Sequence, residues 1–197
     1  AKRSEDQRMS MHPRVALDGD GILMDQNQYW TSFGLGDDGT VDKLTLDGAI
    51  VQTWSTPGLH HPYQEMPDGS LAYGAFIDFY SESLKIRRPN GDLDTLWDCD
   101  SWMVSQGTIG ANCASNTLNY DEASNTFLYS FFTFETVFQI DATSGATLAW
   151  FGPIGGSYAF DPPESHFWYQ HGGHLTPEGT LLISTHQTEA NHDLVAR

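Results

Sequence analysis

Three stretches of this chain end the same way: a glycine turn, four or five further residues, then tryptophan. They are Gly48–Trp54 (GAIVQTW), Gly91–Trp97 (GDLDTLW) and Gly145–Trp150 (GATLAW), and their tryptophans lie 43 and 53 residues apart. Short strands recurring at about 40–50 residues are the period of a propeller blade, a four-stranded antiparallel meander. The punctuation agrees. Turn signals stand at Asp18–Gly21, Asp37–Gly39, Asp47-Gly48, Pro67–Gly69, Asn90-Gly91, Ser144-Gly145 and Pro177–Gly179, and each supplies the residues a tight turn needs. Between them run four to eight residues rich in Val, Ile, Leu, Thr, Tyr and Phe. No window long enough for a helix keeps apolar residues at i, i+3, i+4 and i+7. The chain reads as all-β. A β-sandwich would need the three glycine-to-tryptophan endings to be coincidence.

The blades can be written out. The second is expected as 59–66, 70–76, 83–88 and 92–99, and the third as 115–120, 126–132, 136–141 and 146–151. A first, less regular one ends at Trp54, and a fourth opens at Gln170 and reaches its second or third strand. This divides the chain into an N-terminal arm, 1–14, and a partial propeller, 15–197, of about three and a half blades. Closed propellers have at least four blades, and six is the number expected here when complete. An open sheet edge invites pairing, so a second copy or another chain is the expected partner across it.

The sequence has 197 residues, with 26 acidic against 9 basic for a net charge of −17. Nucleic acid and anionic membrane surfaces both call for a basic face, so neither is expected as a partner. No run approaches the ~20 apolar residues of a membrane-spanning helix; the longest apolar cluster, Phe127–Phe138, is broken by Ser130, Thr133 and Glu135. A start at Ala1 suits a processed chain and a shortened one alike. A periplasmic or extracellular location is expected. Cys99 and Cys113 are the only cysteines; without CxxC spacing they make no zinc site, and their pairing is open at this point.

The polar heads of the repeats carry the candidate chemistry. Leu59–Tyr73 offers His60, His61, Gln64 and Glu65; the stretch around Ser115 offers Asn112, Asn116 and Asn119; and SHFWYQHGGH offers His166, Tyr169, Gln170, His171 and His174. Imidazoles exchange protons near neutrality and serve as nucleophile or base. His171 is followed by two glycines, which let a substrate come close. Strand alternation would put His61, Tyr63 and Glu65 on one face and His60, Pro62 and Gln64 on the other, and would likewise separate His171 from Gln170 and His174. The i, i+3 pair His171 and His174 has a metal-like spacing to which His60 and His61 could add ligands. On a strand, however, i and i+3 face opposite sides, so no metal or other cofactor is expected. Trp54, Trp97 and Trp150 read as core between blades. Phe167, Trp168 and Tyr169, and Phe132, read as stacking surfaces for an aromatic or sugar ring. His186 and His192 fall in an expected loop.

The segments LHHPYQEMPDGSL, SNTLNYD with FLYSFFTFETVFQID and GATLAW, and FWYQHGGHLTPEGTLLIS resemble consecutive parts of the bacterial arylsulfate sulfotransferases. The resemblance spans about 48–184. That family is a six-bladed propeller whose central histidine takes a sulfuryl group from an aryl sulfate and passes it to a phenol. The resemblance implies His171, after Gln170, as nucleophile. It implies His61, the second of the His60-His61 pair, as an active-site histidine and acid partner, and Asn116 as a donor to the substrate anion. His60, Gln170, His174, Trp168, Tyr169 and Phe132 would line the substrate. Two positions depart. The family's His-x-Asn histidine falls on Ala114 and its arginine falls near Phe132, so the charge clamp on the sulfate oxygens is altered.

The function expected is therefore an arylsulfotransferase-like enzyme acting on a small aromatic substrate, sulfated or phenolic, with lyase or hydrolase chemistry by the same histidines as a variant. The alternatives are a secreted propeller that binds protein or glycan, and a metal-dependent propeller polysaccharide lyase.

Overall fold

The computed structural model describes residues 9–27, 38–78, 81–110, 112–155, 158, 160–163, 166–186 and 193–196. These residues form four antiparallel sheets, each a meander in sequence order. The first comprises β1 (Arg14–Val15), β2 (Gly21–Gln26), β3 (Thr40–Thr45) and β4 (Ile50–Ser55). The second holds β5 (Leu59–Glu65), β6 (Leu71–Asp78), β7 (Ser81–Arg87) and β8 (Leu93–Asp98). The third holds β9 (Ser115–Asp121), β10 (Thr126–Phe131), β11 (Thr136–Asp141) and β12 (Thr147–Phe151). The fourth has three strands among the described residues: β13 (Gly173–Leu175), β14 (Leu181–His186) and β15 (Asp193–Ala196). This is a β-propeller built of four-stranded blades, and the strand boundaries fall within two residues of those expected in the second and third blades.

The chain divides into two compact units, Ala1–Thr95 and Leu96–Arg197. Within the first, the inner faces of two sheets share a core of Leu23, Val41, Trp54, Leu59, Tyr63, Leu71 and Tyr73. Alternation in β2 explains one half of it: Gly21, Leu23 and Asp25 are buried while Ile22 is exposed. The Trp54 indole donates to the Gly69 carbonyl at 3.2 Å. The inner end of the N-terminal segment, expected as an arm, is tied to β2. Met9 bridges Asn27, and the buried Asp25 carboxylate accepts from the Met11 and His12 amides at 3.0 and 2.9 Å and from the Asn27 side chain at 2.6 Å. A buried carboxylate needs such donors, so Asp25 holds this stretch in place.

In the second unit, Leu128, Val137, Phe167 and Ile183 form a core flanked by Phe151, Phe160, Leu175 and Leu181. Trp97 and Trp150 behave differently. Trp97 is 6% exposed and bonds Thr147 Oγ1, whereas Trp150 is only half-buried and donates to the Ile154 carbonyl.

Among the described residues one α-helix, α1 (Cys99–Ser105), is added to the expected strands. Seven residues are too few to display a helical period. The last strand of the second blade, expected to reach Cys99, ends at Asp98, whose carboxylate caps the helix by accepting from the Ser101 amide at 2.8 Å. An aspartate at this position satisfies an otherwise unpaired amide of the first turn. Trp102 of α1 then packs edge-on against Phe138 and Trp150, with centroids 4.6 and 5.3 Å away. Cys99 and Cys113 are joined by a disulfide, with Cα atoms 6.2 Å apart, which settles the pairing.

Candidate functional site

The segment after β12 carries most of the expected site residues, and all of its partners described here lie in the second unit. Gln170 is fully buried. Its amide donates to the Phe131 carbonyl at 2.9 Å and the Thr136 carbonyl at 3.2 Å, pinning the segment to the facing ends of β10 and β11. Asn116 of β9 is also buried, and its amide donates to the Gln170 carbonyl. Asn116, expected as a donor to the substrate anion, gives an amide hydrogen to the backbone that carries His171. Asn119, three residues further along the same strand, donates to the Gly173 carbonyl at 2.7 Å and lies 3.5 Å from His174 Nε2. Two asparagines of one strand thus hold the backbone on both sides of His171.

His171 itself is exposed, with Nδ1 3.0 Å from the Tyr169 carbonyl. A carbonyl accepts only, so Nδ1 is the donor in this contact. Tyr169 is 48% exposed and adopts φ +43°, a left-handed conformation that costs a non-glycine residue energy and turns the backbone sharply before His171. Gly172 follows with φ +119°, a region open only to glycine. These two residues overturn the alternation expected here. His171 precedes the strand, β13 begins only at Gly173, and His171 and His174 line one cleft of about 230 Å³ together with Leu182, Ile183 and Ser184. Phe132, in a short 3₁₀ turn after β10, lies 6.1 Å from the His171 ring at 27°. Trp168 is half-buried against His166, centroids 4.3 Å apart.

The His60-His61 pair lies in the first unit, with its own neighbours. In the β5–β6 pairing, His60, His61 and Pro62 face the single residue Gly74 between the pairs Leu59–Ala75 and Tyr63–Tyr73. Pro62 has no N–H to give to a ladder, and proline in a sheet belongs at an edge or a bulge. The bulge cancels the expected alternation. Both imidazoles turn toward each other, centroids 4.0 Å apart and Nδ1 to Nδ1 3.2 Å. His60 is buried and stacked on Phe76 at 4.1 Å, and His61 is half-buried. Sequence reasoning missed two neighbours, His12 and Glu82; neither lies within 20 residues of the pair or in a recognisable motif.

Of the remaining positions, Ala114 is buried with its amide on Thr133 Oγ1 at 3.2 Å, so it offers no cation. His186 closes β14 rather than lying in a loop, and His192 is outside the described residues. Among the described residues no three His, Cys, Asp or Glu side chains are grouped to hold a metal ion, and no helix is long and apolar enough to cross a membrane.

The sequence matches no protein-family profile and no curated protein. Solved structures do share the fold. TolB from Acinetobacter baumannii is similar at a TM-score of 0.59 and 12% identity over 96% of this chain and 40% of its own. A calcium-binding protein, regucalcin, from Agrobacterium tumefaciens is similar at 0.58 and 13% over 92% and 54%. A protein of unknown function from Bacteroides caccae is similar at 0.53 and 12% over 96% and 61%. The chain spans less than two thirds of the length of each. At these identities the likeness concerns the propeller fold.

Proposed function

We propose that this chain is a propeller enzyme acting on a small aromatic substrate, sulfated or phenolic, with His171 as its nucleophile. The observation that carries the reading is the setting of His171. Its Nδ1 is committed to the Tyr169 carbonyl, which makes Nε2 the attacking nitrogen, at a cleft with Phe132 set nearly parallel to the imidazole. An activated nucleophile needs such an orienting partner. In the first step Nε2 attacks sulfur, the S–O bond to the aryl group breaks, and the phenolate leaves with the electron pair. In the second, the oxygen of an acceptor phenol attacks sulfur, the N–S bond returns its electrons to His171, and the acceptor's proton goes to the released phenolate. Asn116, Asn119 and Gln170 position the nucleophile through the backbone. The Cys99–Cys113 bridge supports an oxidising, extracytoplasmic setting.

Incubation of the full chain with 4-nitrophenyl sulfate and a phenol, followed by intact mass measurement, tests this. A sulfuryl adduct that is absent in His171→Ala is the expected result. Absence of both adduct and nitrophenol from the folded chain overturns it. A second reading, ring binding without turnover, is favoured by the exposed Tyr169 and half-buried Trp168. It would show as saturable quenching of tryptophan fluorescence by phenol with no nitrophenol release.

A further inference from the structure

Charge is divided unevenly along this chain. Of the nine Lys and Arg residues, eight lie between Lys2 and Arg88, and the ninth is Arg197, outside the described residues. From Pro89 to Ala196 there is none. The second unit, Leu96–Arg197, therefore sets eleven Asp and Glu against one Arg, whereas the first sets fifteen against eight. In the first, cations answer several of the carboxylates: Lys43 lies 2.7 Å from Asp18 and 2.8 Å from Glu65, and Arg88 lies 2.9 Å from Asp94. In the second, backbone amides do so. Asp121 accepts from the Ser124 amide at 3.0 Å, and Asp141 from the Thr143 and Ser144 amides at 3.0 and 2.6 Å. An amide steadies a carboxylate without cancelling its charge. Hydrogen bonds from Ser144 hold the Asp141 carboxyl below its ordinary range, so that charge persists into acid.

The cleft at His171 belongs to this acidic unit. Its lining among the described residues is two exposed imidazoles, Leu182, Ile183, Ser184 and the backbone at Gly172, with neither Lys nor Arg. A Cβ built at Gly172 would meet no atom within 4 Å, so there is open room beside the histidines. Tyr169, 48% exposed, and Phe132, its ring 6.1 Å from that of His171, add aromatic surface. The face of an aromatic ring carries negative potential and attracts cations. A protein surface of one sign focuses its field in its clefts and raises the local concentration of opposite charge. We infer that this cleft selects phenols, and their sulfate esters, that also carry a positively charged group, such as an alkylammonium chain on the ring.

The inference rests on the reading of this cleft as the ring-binding site and names the class of ring it takes. Ala114 and Phe132 stand where a histidine and an arginine would clamp a sulfate group, and the unit's single arginine is at position 197. A ring whose only charge is its sulfate is repelled by such a unit. An ammonium group on the same ring supplies from the ligand the positive charge that the protein lacks: the phenol becomes a cation and its sulfate ester a zwitterion.

Three phenols of similar shape test this: tyramine, 4-ethylphenol and 3-(4-hydroxyphenyl)propionate, which near neutral pH are positive, uncharged and negative. Each is titrated into the full chain while NMR follows the imidazole resonances of His171 and His174, assigned with His171→Gln and His174→Gln. In dilute buffer tyramine is expected to bind about tenfold more tightly than the propionate, with 4-ethylphenol between them. At about 1 M salt, where the screening length falls to ~3 Å, the gap should close to within about twofold. Glu122→Lys combined with Glu178→Lys, two exposed positions of the second unit, should narrow the gap in dilute buffer. Equal affinities, or tighter binding of the propionate, overturn the inference, as does failure of all three to move the resonances. A gap that neither salt nor the lysine substitutions change overturns the field as its cause. The sulfuryl reading is judged separately: an adduct at His171 without any charge preference keeps that reading and removes this inference, and a charge preference without an adduct does the reverse.

Discussion

The first unit keeps His60 out of water beside a fully buried carboxylate, whereas the second presents His171 and His174 at an open cleft and holds them through the backbone. In the first, a bulge at Pro62 brings the two imidazoles together, with the Glu82 carboxyl group 3.8 Å from His60. In the second, neutral amides from Asn116, Asn119 and Gln170 fix the carbonyls around the histidine, and Tyr169 and Gly172 supply the bend. A polar group inside a sheet core must be paired to be tolerated. A polar group at a cleft needs only a rigid backbone. The same residue type at the head of two equivalent blades is therefore controlled by different forces. The two units are also braced differently: the second by a disulfide and a capped helix, the first by buried tyrosines and the Asp25 anchor.

The largest effect that would break this comparison is expected from Trp102→Ala. Trp102 is 9% exposed and touches Phe138 and Trp150, so its loss should destabilise the second unit by about 3–5 kcal/mol. Hydrogen exchange should show faster opening of β10–β12 while β2–β6 keep their protection. Next comes the disulfide. Its partners are 14 residues apart, and for a loop of that size Cys99→Ser with Cys113→Ser should cost about 3 kcal/mol, read as a lower midpoint in denaturant for the second unit.

Alkaline titration should reveal two buried tyrosines of the first unit. Burial pushes the Tyr73 hydroxyl up to about 12, against a weaker downward pull from Arg87, and burial raises Tyr63 further still. Each is raised above its unfolded value, so the stability it contributes is whole below about pH 10 and is lost as pH climbs. For Tyr73 the loss runs between about pH 10 and 12 and amounts to about 2–3 kcal/mol. Tyr73→Phe should flatten that slope, and a slope unchanged in that variant would refute the assignment. The smallest change is expected from Asn116→Ala. The unpaired Gln170 carbonyl should cost about 1–2 kcal/mol, with slower sulfuryl-adduct formation at His171 as the specific sign.

Some of the site was legible before any coordinates. The turn residues set blade boundaries, and the polar heads brought His60, His61, Asn116, Gln170 and His171 into view because histidine and asparagine are unusual at the start of apolar strands. The roles were not legible. Alternation predicted that His60 and His61 would part, and that His171 and His174 would face away from each other. Both expectations failed where the chain leaves regular strand geometry, at Pro62 and at Gly172. The clamp from Asn116 onto the Gln170 carbonyl was not legible either, because it joins residues 54 positions apart.

By itself the sequence determined the propeller, its strand boundaries and the identity of its polar heads. These depend on local properties: turn-forming residues, period-two hydrophobicity and a repeat length that recurs along the chain. Only the tertiary structure decided the disulfide, the capped helix, the two histidine pairs, and the entry of His12 beside His61 and of Glu82 beside His60. Each of those is a meeting of residues distant in sequence, and it is fixed by which backbone groups and charges the packed sheets leave to be satisfied.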